Sequence, residues 1–173
     1  IQNNKPILFR VHKVPTHENV EELNHLLKIL GFTPPRSKVS SPHYYNQVLK
    51  LVVGTRFSNL INQIVLRCQA KAEYSPHNLG HFGLGLSHYC HFTSPIRRYP
   101  DLVIHRLIDQ ISRGKTPRED FAALQALGDH CSERERIAEA AERELVKLKL
   151  LGYLSQHLGM AMDCLLYTSP SPR

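Results

Sequence analysis

The chain has 173 residues, 42% of them apolar, and a formal net charge of +7 at pH 7. That length suits one domain with a real core or a portion of a larger one. No apolar run approaches the roughly twenty residues of a membrane span, so no membrane association is expected. Lys and Arg are spread over the whole chain with no acidic tail to offset them, which favours a polyanionic partner such as nucleic acid.

Cys68, Cys90, Cys131 and Cys164 are widely separated and form no CxxC pair. With no signal peptide, the chain reads as cytoplasmic with reduced thiols. The opening "IQNNKPILFRVH" starts without an initiator methionine, and "CLLYTSPSPR" leaves a helical pattern for a Ser-Pro repeat resembling a translated adaptor junction. Residues 163–173 are therefore set apart as a non-native or disordered tail, and 1–162 are read as the folded part.

In chain order, "LFRVH" predicts a short extended segment. Thr16 can cap a helix whose Val20, Leu23, Leu26, Leu27 and Leu30 share one face, stopped by Gly31. After the loop "TPPRSKVSSP", Ser41-Pro42 restarts a helix through Tyr45, Val48, Leu49 and Val52, ended by Gly54. A third helix carries Phe57, Ile61, Ile64, Val65 and Cys68 and is expected to run to about Tyr74. "YSPHNLGHFGLGLSHYCHFTSP" has no helical period; Phe82, Leu84 and Leu86 alternate as in a strand or hairpin. Helical spacing returns at Leu102, Ile104, Ile108 and Ile111, up to Gly114. Pro117 opens another helix, and "SERE" from Ser132 has capping-box spacing ahead of a long charged helix reaching Leu154. The fold class is α+β, mostly helical, with a small β element in the middle.

The chemistry concentrates in "HFTSPIRRYPDLVIHR". With Ser94 as N-cap and Pro95 as N1, free backbone N–H groups would point out near Thr93 and Ser94 and offer an anion site. Arg97 would add a planar fork able to hold a phosphate through two hydrogen bonds. Pro100 lacks the N–H that would pair back to Ile96, so either the first turn is kinked or the regular helix begins at Tyr99. Asp101 can reach Arg97 or Arg98 on one side and His105 on the other, making Arg98, Asp101 and His105 a structural charge network. His77, His81, His88, Cys90, His91 and His105 form a dense cluster, yet "HFGLGLSHYCH" lacks the paired spacings of structural zinc sites, and no metal ligand is assigned.

"GHFGLGLSHYCHFTSPIRRYPDLVIHRLI" resembles the signature of the RNase II and RNase R family, 3'-to-5' exoribonucleases with an RNB catalytic domain. The carriers are His81-Phe82-Gly83-Leu84, Tyr89, the run Thr93 to Tyr99, Asp101 and His105; Cys90 replaces a different small residue. "LFRVH", "YSPHNLGHFGL" and "HCSERERIAEAAERE" extend the likeness to the bacterial RNase R branch over about residues 7 to 160. The resemblance implies the C-terminal part of an RNB domain that hydrolyses single-stranded RNA processively to nucleoside monophosphates in RNA decay. DNA is not an expected substrate, and a monomer is expected. It assigns Arg97 to the RNA phosphate near the scissile bond. Tyr89, His91, Thr93, Ser94 and Glu142 fall on positions lining the RNA path.

The family's Mg²⁺ is held by a tight run of aspartates. Here the five aspartates (Asp101, Asp109, Asp120, Asp129 and Asp163) are scattered. The metal ligands, the base-stacking aromatics and the S1 module of the family are therefore placed outside this chain, which is expected to be inactive alone. Two other readings stay open: a non-catalytic RNA-binding protein on the same scaffold, and a helical interaction module with a structural metal.

Overall fold

The computed structural model describes residues 7–115 and 120–161. Pro117, expected to open a helix, and the 163–173 tail lie outside the described residues. The chain divides into two units, Ile1–Glu133 and Arg134–Arg173.

In the first unit, β1 (Phe9–Val11) is followed by α1 (His17–Ile29), α2 (Pro42–Val52) and α3 (Ser58–Cys68). The start of α1 is set by Thr16, whose hydroxyl accepts the Asn19 amide. Its end is a full Schellman motif: Gly31 N–H donates to Lys28 and Phe32 N–H to Leu27, with Gly31 at φ 84°. Only a residue without Cβ takes that left-handed position cheaply. Ser41 caps α2 through the His43 amide, with Pro42 in its first turn. The buried faces of the three helices meet in one core built on Leu23, Leu27, Tyr44, Val48, Val52 and Ile61. Truncating one such leucine to alanine costs about 2–5 kcal/mol.

The third helix stops earlier than its periodicity predicts. Gln69 turns extended at φ −68° and ψ 143°, the Asn19 side chain takes the Cys68 carbonyl, and Glu73–Ser75 forms β2. The strand β2 pairs antiparallel with β1, setting Phe9 opposite Ser75, Arg10 opposite Tyr74 and Val11 opposite Glu73. The alternation at Phe82, Leu84 and Leu86 also misleads. Phe82–Leu84 is a 3₁₀ turn closed by Gly85 at φ 65°, and Phe82 packs edge-on against Tyr45 of the helical core.

Beyond it come α4 (Tyr99–Ser112) and α5 (Phe121–Ser155). Val103 and Leu107 of α4 pack on Leu124 of α5. The capping-box reading of Ser132 fails, because Asp120 already caps α5 through the Ala123 amide and Ser132 sits inside the helix. Ser132 is buried there, donating to the Gly128 carbonyl and accepting the Tyr74 amide at 2.9 Å. Gly128 brings α5 against β2 so closely that a Cβ on it would meet the Tyr74 oxygen at 2.6 Å. The second unit holds the charged C-terminal half of α5, whose Leu145, Val146, Leu148 and Tyr153 are exposed.

Candidate nucleic-acid interface

The segment between β2 and α4 lies on the small sheet. The Arg10 amide of β1 donates to the Tyr89 carbonyl, His12 N–H to Gly80, and Phe82 N–H back to His12. These backbone bonds fix where the histidine- and tyrosine-rich loop runs, which no local periodicity could announce.

Rings then follow one another along it. His81 and Tyr89 meet edge-on at 5.1 Å between centroids, Tyr89 and His91 at 5.7 Å, and His91 and Tyr74 at 5.6 Å. The Tyr74 hydroxyl and His91 Nδ1 are hydrogen-bonded at 2.9 Å. The Arg10 guanidinium lies 4.6 Å from the centre of the Tyr74 ring. The sequence motif points to Tyr89 and His91 but carries no sign of Arg10 or Tyr74. The period-two register that places them side by side joins residues far apart in the chain.

At the end of this row the chain turns. The Ser94 carbonyl accepts the Arg97 and Arg98 amides, at 3.3 and 3.0 Å, and α4 begins at Tyr99 with Pro100 in its first turn. Of the two alternatives Pro100 left open, the helix starting at Tyr99 is the one adopted. Ser94 is therefore not the N-cap; Arg98 holds that position, with no side-chain cap. Nor is the Ser94 amide free for an anion, because it donates to Asp101 Oδ2 at 2.8 Å. An internal carboxylate occupies the place expected for a phosphate.

Asp101 is the centre of this turn. It is fully buried, and the same Oδ2 receives Arg98 Nη2 at 2.7 Å. Burial pushes its carboxyl upward, but the Arg98 hydrogen bond, the Ser94 amide and the charges of Arg98 and His91 outweigh this and hold it below the usual range. Conversely, the Asp101 hydrogen bond raises Arg98. Burial, helped by Asp101, pushes the Cys90 thiol up, so Cys90 is not a ready nucleophile.

His105 does not join Asp101. It stacks on Phe92 at 4.2 Å with the rings 9° from parallel, and its Nε2 bonds the Phe92 carbonyl at 2.7 Å. The network expected of Arg98, Asp101 and His105 is thus two anchors: one holds the turn at Ser94, the other the strand-like approach at Phe92. Arg97 is left exposed, and among the described residues it forms no ion pair. Ile96 beside it is wholly exposed, and Thr93 is exposed as well. Glu142 lies exposed on α5 in the second unit.

The described residues do not fit a Mg²⁺ centre. No three His, Cys, Asp or Glu side chains among them converge on a metal position. His81 stacks on His12 instead, and His81 and His91 meet tyrosine rings edge-on.

The family model described as the RNB domain matches residues 1–114, which include the ring row, the turn and all of α4. The chain belongs to the RNB domain family. Among curated proteins it is 42% identical to Ribonuclease R of Aquifex aeolicus, over 89% of this chain and 22% of that protein. It is 34% identical to Ribonuclease R of Escherichia coli, over 90% of this chain and 20% of that protein. The chain thus spans about a fifth of the length of these relatives. Among solved structures, Mycoplasma genitalium RNase R in complex with ribose-methylated single-stranded RNA superposes with a TM-score of 0.82 at 27% identity. That match covers 92% of this chain and 26% of the other. Yeast Ssd1, a pseudonuclease, is similar in fold alone, with a TM-score of 0.62 at 22% identity over 75% of this chain and 16% of that one.

Proposed function

We propose that this chain is the phosphate-gripping part of a cytoplasmic, monomeric 3'-to-5' exoribonuclease that degrades single-stranded RNA to nucleoside monophosphates. The observation that carries the reading is Arg97: an exposed guanidinium on a turn whose neighbours are braced by a buried carboxylate. Asp101 neutralises Arg98 and ties down Ser94, which leaves Arg97 as the turn's free positive fork. Such a fork binds a phosphate through two parallel hydrogen bonds and does not move when charge builds on it. Tyr89 and His91, half-buried in the ring row, are assigned to positions lining the RNA path beside the turn. Thr93 and Ser94 add hydroxyls on the same path. Mg²⁺, which this hydrolysis uses, is assigned to carboxylates outside the described residues.

In the intact parent enzyme, Arg97→Ala should reduce kcat by about two orders of magnitude while RNA affinity changes much less, because many other phosphate contacts share the binding. Arg97→Lys should rescue poorly, since a point charge does not reproduce the fork. Steady-state kinetics on a labelled oligoribonucleotide, with affinity measured separately, decide it. Near-normal turnover in Arg97→Ala would sink the assignment. Complete inactivity of the intact parent on single-stranded RNA would favour a non-catalytic RNA binder on the same scaffold.

A further inference from the structure

His12 follows the first strand directly, in a buried position, and its two ring nitrogens have fixed and opposite tasks. Nε2 lies 2.7 Å from the Ala70 carbonyl, which can only accept, so Nε2 carries the hydrogen. Nδ1 receives the Gly83 amide at 2.8 Å, so it must present a lone pair. The bonds hold only for the neutral imidazole with its hydrogen on Nε2. His81 stacks on this ring at 5.1 Å and 28°, and its own Nδ1 accepts the Leu84 amide at 3.3 Å. The Gly83 amide is therefore held by an unprotonated imidazole nitrogen, and the Leu84 amide is shared between the His81 ring and the His81 carbonyl, the latter at 3.2 Å. Gly83 fits because a Cβ there would lie only 3.2 Å from His12 Nδ1.

We propose that His12 and His81 form an acid-sensitive latch that fastens the Phe82–Leu84 turn to the first strand and the Ala70 loop, and that protonation releases it. A proton on His12 Nδ1 replaces an acceptor with a second donor facing the Gly83 N–H, which breaks that bond outright. A proton on His81 Nδ1 removes one of the two acceptors of the Leu84 amide and leaves it the His81 carbonyl, and two imidazolium rings in a stack repel each other. The surroundings add to this. Arg10 on the same strand is cationic, Tyr89 faces His81 with a neutral ring, and Glu73 of the sheet is already paired with Lys13 at 2.6 Å. Burial, then His12 and Arg10, push His81 below the usual histidine range. The sign follows: the released turn takes up protons that the fastened turn excludes, so fastening weakens as pH falls below about 6.5. Release loosens Gly83 and the exposed Leu84 and Leu86 while the Phe82 amide stays on the His12 carbonyl, immediately before the Tyr89–Arg97 segment.

The test is amide hydrogen exchange and imidazole ¹⁵N NMR on the full chain between pH 7.5 and 5. At pH 7.5, His12 should show the Nε2–H tautomer. The protection factor of Gly83, corrected for intrinsic exchange, should drop by up to about tenfold per pH unit per proton taken up. Leu23 and Leu27 in α1 should keep theirs. His12→Asn, whose side-chain oxygen can receive Gly83 but does not titrate, should flatten the pH profile at Gly83. His88→Asn, on an exposed ring, should leave it as it was. An Nδ1–H tautomer for His12, or pH-independent protection at Gly83, overturns the latch. So does a loss at Gly83 that merely tracks Leu23 and Leu27. The first two readouts use the unaltered chain, so poor folding of a variant does not protect the idea.

Discussion

A single buried carboxylate decides how the arginine turn is presented. Asp101 Oδ2 serves both the Ser94 amide and Arg98, and Oδ1 has no hydrogen-bond partner. Removing the charge leaves Arg98 partly buried without its counter-ion, a loss of about 3 kcal/mol for pairs of this kind. Asp101→Asn should therefore lower stability by about that amount at pH 7, measured by urea unfolding. The pH dependence has a definite direction. A carboxyl held below its ordinary value contributes stability in full above the unfolded value of about 3.9, and loses it as pH falls through the lower folded value. The gap between parent and variant should stay constant from pH 7 to about 5 and close only below about 4. A gap that closes already near pH 6 would mean that Asp101 is not the charged centre of the turn. Arg98→Ala should act in the same way, through stability, and leave an intact parent enzyme's chemistry to Arg97.

At the scale of elements, the close contact is between β2 and α5. Two effects oppose each other at Gly128. Alanine is favoured over glycine inside a helix by about 1 kcal/mol. Against that stands a Cβ 2.6 Å from the Tyr74 oxygen and 3.2 Å from Leu8, a clash with backbone that side-chain rotation cannot relieve. Overpacking of this kind costs about 1–3 kcal/mol, so Gly128→Ala should lower the melting temperature. Gly152→Ala, with nothing within 4 Å of its Cβ, should raise it slightly. A rise in both would show that α5 does not need the close approach. The same contact explains what the sequence reveals and what it hides. Thr16, Ser41-Pro42 and Gly31 are local signals, and they place α1 and α2 correctly. The SERE run carries an equally good local signal, yet Ser132 is an interior serine serving Tyr74, fifty-eight positions away. A three-residue strand has too few residues to show a period, so the end of α3 and the start of β2 were illegible. In the site, the Arg98–Asp101 pair is three residues apart on a helix and was readable. The bond from Asp101 to the Ser94 amide was not, since a backbone donor leaves no trace in residue type.

For the whole molecule, binding and hydrolysis should come apart. On the function proposed above, the +7 charge and the exposed Arg97 are what would hold an RNA strand. Hydrolysis assisted by metal needs carboxylates free to converge, with ions about 3.5–4 Å apart in two-metal sites. The four described aspartates all have other work. Asp101 is buried under Arg98, Asp109 pairs with Arg113, Asp120 caps α5, and Asp129 accepts from Gln125. The purified chain should bind single-stranded oligoribonucleotide at low salt. Its affinity should fall with salt by roughly 0.7 log units per log unit for each phosphate neutralised, with Arg97→Ala reducing that slope by about one phosphate's share. With Mg²⁺ or Mn²⁺ added, the same preparation should release no mononucleotides. Fluorescence anisotropy across a salt series and a gel assay of the 5'-labelled strand read the two properties separately. Binding that ignores salt would reject the electrostatic interface. Steady mononucleotide release by chain freed of host nuclease, and abolished by chelator, would reject the view that the metal-binding carboxylates lie elsewhere in the parent enzyme.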